Sequence, residues 1–210
     1  MNTKLIWATP NIDATIGYIA RVSNPARQDN PDVGGLLRYM LREGHVSPFE
    51  MAHACIEVET TRDIGRQILR HRSFSFQEFS GRYQTYEALP DAPLREARMQ
   101  DTVNRQNSLP CENFVVAEIW ETMQQGVYDK ATAQYRAALK LGIAKEQARA
   151  LLPEGLTTTR MYMVGSMRSW IHYLQQRLDL STQAEHRAIA EEVQQILTQA
   201  APVTMGAIFA

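Results

Sequence analysis

The sequence predicts an α+β fold, helices mixed with a small, mainly antiparallel sheet. Stretches with helical periodicity outnumber strand-like ones, and the strands do not alternate with helices as βαβ units. No G-x-G-x-x-G or Walker A sequence is present, so the usual glycine-rich cradles for dinucleotides and triphosphates are missing. At 210 residues the chain is expected to form one domain, residues 1–210, long enough to bury a core.

In chain order, Asn30-Pro31 followed by Val33, Leu36, Leu37, Met40 and Leu41, with Gly44 beyond, reads as a capped helix with proline in its first turn. Ser47-Pro48-Phe49-Glu50 has capping-box spacing and predicts a short helical turn. His53 to Thr60 alternates, with Ile56 and Val58 on one face and Glu57 and Glu59 on the other, which predicts a strand. After Thr61 a helix is expected from Arg62 to Arg72, with Ile64, Ile68 and Leu69 facing inward. If Gln77 to Tyr83 is extended, Glu78, Ser80 and Arg82 point one way and Phe79 and Tyr83 the other.

Leu89 to Leu109, with Pro90, Pro93 and Pro110 at or near its edges, reads as a long irregular connection. From Glu112 to Leu141, apolar residues at Val116, Trp120, Met123, Val127, Ala131, Tyr135 and Ala138 recur every three or four positions, a long amphipathic helix. Thr157 to Val164, TTTRMYMV, is β-branched and aromatic and reads as a strand that Gly165 breaks. A last helix runs from about Thr182 through Ala188, Val193, Ile196 and Leu197.

Composition narrows the function classes. Basic and acidic residues number 22 and 23, a net charge of -1, which weighs against general binding to duplex phosphate. The opening MNTKLIWATPNID has a hydrophobic run too short for a secretory signal, and no stretch is long and apolar enough to span a bilayer. Two cysteines, Cys55 and Cys111, form neither a disulfide framework nor a metal spacing; a cytoplasmic protein without a bound metal is expected.

Charge is concentrated in one place. Residues 62 to 83 hold five arginines (62, 66, 70, 72 and 82) against two acids, Asp63 and Glu78, and the segment 70–83 reads RHRSFSFQEFSGRY. A row of carboxylate, hydroxyl and guanidinium makes a poor core face and a good polar wall for a nucleotide. Arginine forks a phosphate or a carbonyl edge with paired donors, and serine adds a short one. An alternative reading of the segment is a single-stranded RNA binder, with the arginines on phosphates and Phe74, Phe76, Phe79 and Tyr83 stacking on bases. That reading needs a wider basic surface than the charge balance supplies. A structural oligomer whose arginine helix meets acids of a neighbour would leave the serines unexplained.

Arg70-His71-Arg72, Ser75, Glu78, Ser80, Arg82 and Tyr83 resemble the R-H-R-x-x-S-x-x-E-x-S-x-R-Y signature of flavin-dependent thymidylate synthases. Gly44-His45 with Ser47-Pro48-Phe49-Glu50 resembles that family's upstream G-H-x-[ST]-P-F-E segment, and Ala148-Arg149 before Leu152-Pro153 its A-R-x-x-L-P segment. Arg168-Ser169, Leu174, Arg177, Gln183 and Glu185 are similar to its closing stretch. Gln77 departs from the family's usual asparagine, as do Ser166 and His172; Ser181 stands where some members carry histidine.

The resemblance implies the thymidylate synthase-complementing protein fold and reductive methylation of dUMP to dTMP. Carbon comes from 5,10-methylenetetrahydrofolate, FAD mediates, NADPH is the reductant, and the enzyme is a homotetramer with sites between subunits, engaging neither nucleic acid nor membrane. Carried over residue by residue, Gln67, Arg70, Glu78, Ser80, Gly81 and Arg82 would hold dUMP, with Arg149 reaching it from another subunit. Arg177 would pair with the uracil carbonyl edge and act as the catalytic residue. FAD would lie on Ser47, Arg70, His71, Arg72, Glu78, Ser166, Arg168 and His172. No cysteine nucleophile is implied, and His53 and His186 are given no role.

Overall fold

A computed structural model of the protein describes residues 2–209. The chain opens with strand β1 (Asn2–Ala8), helices α1 (Ile12–Ala20) and α2 (Gly34–Arg42), strand β2 (His53–Thr61) and helix α3 (Arg62–Ile68). Strand β3 (Ser75–Glu78) and the short strands β4 (Arg98–Gln100) and β5 (Ser108–Pro110) follow. Helices α4 (Phe114–Lys140) and α5 (Lys145–Ala148), strand β6 (Thr158–Ser166) and helices α6 (Met167–Arg177), α7 (Ala184–Ala200) and α8 (Pro202–Phe209) complete it.

The expected α+β class is the observed one. Four strands form a sheet in the order β1-β2-β6-β3. Its backbone bonds show antiparallel neighbours throughout. Thr9 N–H, just past β1, donates to the carbonyl of His53, which opens β2. Arg62 N–H donates to Thr157 O and Met167 N–H to Ala52 O, so each end of β2 meets the opposite end of β6. Phe79 N–H, just past β3, donates to Arg160 O near the start of β6.

The residues gather into two compact units, with β2, β3 and β6 contributing to both. The first, which we call the helical-core unit, comprises residues 2–58, 71–77 and 162–209. Its core contains Ile12, Ile16, Leu37, Phe49, Ile56, Trp170, Tyr173, Val193 and Leu197, all buried. The alternation that predicted β2 is real: Ala54, Ile56 and Val58 are buried while Glu57 is half-exposed. Trp170 satisfies its indole by donating to Ala54 O (3.1 Å), which fixes α6 on β2. Asp13 of α1 caps α8, accepting from the backbone N–H groups of Val203 (2.8 Å) and Thr204 (3.1 Å) and from the Thr204 hydroxyl (2.6 Å).

Three local expectations are corrected in this unit. Helix α2 starts at Gly34 rather than at the Asn30-Pro31 pair, because Asn30 uses its side-chain oxygen to accept from Asp32 N–H (2.9 Å), an Asx turn. Its predicted end holds: Gly44 has φ +71° and His45 N–H donates back to Met40 O. Ser47–Glu50 is the expected helical turn, of 3₁₀ type, but Ser47 makes no capping bond and Glu50 instead pairs with Arg168 (3.0 Å). Gly165 does not break β6, which runs on to Ser166. Glycine is required there by packing, since a Cβ would lie 2.5 Å from the Phe74 ring.

The second, long-helix unit comprises residues 59–70 and 78–161. Asn113 caps α4, its side-chain oxygen accepting from Val115 and Val116 N–H. The 27-residue helix is amphipathic as predicted, but its stripe splits. Tyr135 and Gln124 are buried, whereas Val116, Trp120, Met123 and Val127 face outward in the single chain. The connection expected to be irregular between Leu89 and Leu109 carries a hairpin, β4 paired antiparallel to β5 with Met99 opposite Leu109. It is anchored by Arg95. Asp63 accepts two bonds from its guanidinium (2.7 and 2.8 Å), while Gln124 and Trp120 bind its backbone.

Candidate active site

In the long-helix unit, α3 ends at Ile68, earlier than the expected Arg72, and leaves Gln67 on its last turn and Arg70 exposed beyond it. Gly65 lets α3 approach β6: a Cβ there would lie 2.9 Å from Met161 and 3.0 Å from Thr159. The same contact places Glu78, whose carboxylate accepts from the buried Thr159 hydroxyl at 2.8 Å. A fixed carboxylate at the end of β3 is thus built from three elements.

The extended run expected from Gln77 to Tyr83 is replaced by a shorter strand at Ser75–Glu78, which starts two residues earlier and ends five residues earlier. Past Phe79 the chain turns, with Tyr83 and Gln84 N–H both donating to Ser80 O. The predicted two-faced ladder of Glu78, Ser80 and Arg82 therefore does not form, and Tyr83 is exposed rather than packed. What forms instead is a turn whose buried Gly81 sits against Tyr86, a Cβ there falling 2.4 Å from the ring. Tyr86 in turn accepts from Arg62 (2.6 Å). Burial pushes the Tyr86 phenol up, against Arg62 and Arg149, which pull it down.

That turn presents Ser80 and Arg82 to an open recess of about 850 Å³, shared with Lys145 and Glu146. Lys145 donates to Tyr83 O (3.0 Å), and Arg82 lies 3.4 Å from Glu146. Both cations are on the wall of a space large enough for a small ligand.

In the helical-core unit, Ser166 is buried and caps α6, accepting from Ser169 N–H (3.2 Å). Its hydroxyl passes a proton bond to Ser169 Oγ, which donates to Ser73 O. Arg168 and His172 lie four positions apart on α6, and both are exposed, as are Ser47 and Arg72. His71 is buried, and Arg177 Nε donates to its Nε2 at 2.9 Å. Burial holds the His71 imidazole down at about 4, with Arg177 and His172 adding repulsion. The Phe74 ring, called on by the RNA reading for base stacking, is buried instead, edge-on to Trp170 at 4.7 Å between centroids.

Residues 4–203 match the family model described as thymidylate synthase complementing protein. The chain belongs to that family. It is 47% identical over 196 residues to the flavin-dependent thymidylate synthase of Synechocystis sp., covering 93% of this chain and 89% of the relative. It is 42% identical over 210 residues to a probable flavin-dependent thymidylate synthase of Paramecium bursaria Chlorella virus 1, with 96% of each chain covered. Among solved structures, a UMP/dUMP methylase from Streptomyces cacaoi bound with 5-Br dUMP is similar at a TM-score of 0.84 and 27% identity, covering 98% of this chain and 93% of that one.

In this chain the two sets of expected ligand residues divide by unit. Gln67, Arg70, Glu78, Ser80, Gly81, Arg82 and Arg149, all expected on dUMP, lie in the long-helix unit, and Arg177 in the other. Ser47, His71, Arg72, Ser166, Arg168 and His172, expected on FAD, lie in the helical-core unit, while Arg70 and Glu78 do not.

Sequence reasoning missed Lys145, although it stands four positions before Arg149, and passed over His186. His186 is fully buried on α7, 6.3 Å from the His71 ring and 5.8 Å from the Tyr173 ring between centroids. Burial, with Arg177 and His71 nearby, holds it down at about 3. Its signal was present: Ile189, Ala190, Val193 and Leu197 continue the same buried face at helical spacing. Among the described residues no cluster of His, Cys, Asp and Glu could hold a metal ion, and no helix is long and apolar enough to cross a membrane.

Proposed function

We propose that this protein converts dUMP to dTMP by reductive methylation, taking carbon from 5,10-methylenetetrahydrofolate and reducing equivalents from NADPH, with FAD as mediator. The observation that carries the reading is that Gln67, Arg70, Glu78, Ser80, Gly81 and Arg82, all expected on dUMP, lie in one unit, with Glu78 fixed by Thr159 and with Ser80 and Arg82 on the wall of the open recess. The names of the relatives, and the 5-Br dUMP in the similar Streptomyces cacaoi structure, support the same substrate class.

The residues fit their ligands chemically. Ser80 and Arg82 would take the dUMP phosphate through charge-assisted bonds, joined by Lys145 on the same recess. Arg149 would complete the pocket of a neighbouring subunit. The dinucleotide cofactor carries a diphosphate, and the helical-core unit offers exposed guanidinium groups at Arg72 and Arg168 for it, beside His172. Bound FAD would supply the hydride chemistry that no side chain offers. Ser166 already has its oxygen engaged as a helix cap, so its FAD contact would come from a shared acceptor.

Arg177 would hold the uracil carbonyl edge and stabilise the anion left by loss of the N3 proton. A preorganised cation at developing negative charge lowers the barrier electrostatically. The substrate carbon then attacks without a protein nucleophile. Cys55 suits that reading, being buried in β2 with its thiol pushed up by burial. The enzyme would act as a homotetramer; the outward apolar stripe of α4 supports self-association, because an apolar face of this kind is normally covered. The proposal takes residues 1–210 as one catalytic domain working in the cytoplasm.

The phosphate assignment is tested by calorimetric titration. Arg82→Ala is expected to weaken dUMP binding about tenfold or more, the scale of a hydrogen bond to a charged group, and to leave deoxyuridine binding unchanged. Equal loss for both ligands, or for neither, would remove Arg82 from the phosphate.

A further inference from the structure

We propose that His71 is a positioning residue for Arg177, its Nε2 lone pair receiving the Arg177 Nε–H and setting the direction of the guanidinium. The proposal rests on the catalytic assignment of Arg177 made above and gives His71 a role beyond contact with the cofactor.

The geometry fixes the chemistry of the pair. An arginine Nε always carries hydrogen, so the 2.9 Å bond requires an unprotonated Nε2 on His71. A neutral imidazole then bears its proton on Nδ1. Protonating His71 would set N–H against N–H and a cation against a cation. The surroundings keep that from happening. His71 is buried, and its ring is edge-on to Tyr173 (4.9 Å), with Phe74 and His186 completing the cage. The charged or titratable groups facing it are Arg177, His172 and Tyr173 from α6 and His186 from α7. Desolvation first, then Arg177 and His172, holds the ring down at about 4, so it is an acceptor at neutral pH.

Binding at Nε has a further consequence. Arginine is gripped at the base of its fork, and the plane of the guanidinium is set by a ring locked in aromatic contacts. His71 leads the Arg-His-Arg segment into a turn closed by Phe74 N–H donating to His71 O (3.2 Å). The ring is therefore positioned by the signature segment itself. Only Nδ1–H is left for any other partner, which limits how His71 can meet a flavin.

The decisive comparison places the acceptor in two different positions. A glutamine amide can present oxygen near the site of Nε2, whereas an asparagine amide reaches only as far as Nδ1. At saturating FAD, His71→Phe and His71→Asn are expected to lower kcat about tenfold or more, and His71→Gln to recover most of it. If saturating FAD restores His71→Phe, or if asparagine and glutamine behave alike, His71 is a cofactor contact and not a positioning residue. A second readout does not depend on turnover. Imidazole ¹⁵N shifts of the wild-type protein should show His71 protonated on Nδ1 and hydrogen-bonded at Nε2 down to about pH 5, with the Nε2 signal moving in Arg177→Ala. A proton on Nε2 would overturn the proposal. Wild-type protein that shows the expected shifts but does not methylate dUMP would instead overturn the functional reading and leave the Arg177–His71 pair intact.

Discussion

Arg177→Ala is expected to lower dUMP methylation by about a hundredfold or more, the scale on which a preorganised charge acts at a developing anion. FAD should remain bound, because its proposed contacts lie on other residues. Arg177 stands at the last position of α6, half-buried, with Nε on His71. Lysine should not replace it. Its ammonium is a point charge on a flexible stem and cannot donate from the Nε position while presenting a planar fork. Turnover of both variants at saturating dUMP, with flavin absorbance recorded on the same samples, checks the claim. Undiminished turnover in Arg177→Ala would remove its assigned role.

Gly165→Val is expected to destabilise the protein by about 3 kcal/mol, the upper part of the range for overpacking a close-packed core. The cause is specific. A Cβ at Gly165 falls 2.5 and 2.6 Å from two Phe74 ring atoms. That ring has little room to yield, since Trp170 and Tyr173 stand 4.7 and 6.1 Å from it between centroids. Phe74 also closes the turn that carries His71, so the damage should reach the Arg177 contact as well. Denaturant unfolding measures it. Gly165→Ala should show a smaller loss in the same direction, and a variant as stable as the wild type would mean that Phe74 moves aside freely.

The regular elements were legible because burial repeats with their period. Ala54, Ile56 and Val58 alternate along β2, and Met161 and Met163 do the same along β6. The ends were less so, because side chains there chose tertiary partners over local ones. Glu50 left the capping box for Arg168, and Asn30 turned onto Asp32 before α2 could begin. The signature segment shows the same limit. Alternating residue types suggested a strand through Arg82, but a strand needs backbone partners. Ser80 O is instead used by two N–H groups of the following turn.

The candidate site divides in a similar way. The signature residues could be named from the segment's resemblance to the family signature, and most of the expected dUMP set does share one unit. Their supports could not be named. Thr159 reaches Glu78 from 81 positions away, and the Tyr86 that backs Gly81 has no sequence pattern of its own. The Arg177–His71 pair spans 106 positions, so only the fold reveals it. His186 is the exception, readable from the buried face of α7 but passed over because no partner residue was visible.

Release of tritium from [5-³H]dUMP tests the proposed reaction most directly, because only chemistry at the uracil C5 frees the label. With FAD, 5,10-methylenetetrahydrofolate and NADPH present, the protein should release label into water in step with dTMP formation, and omission of FAD should stop both. Flavin-loaded protein that binds dUMP yet leaves the tritium on the base would contradict the reaction.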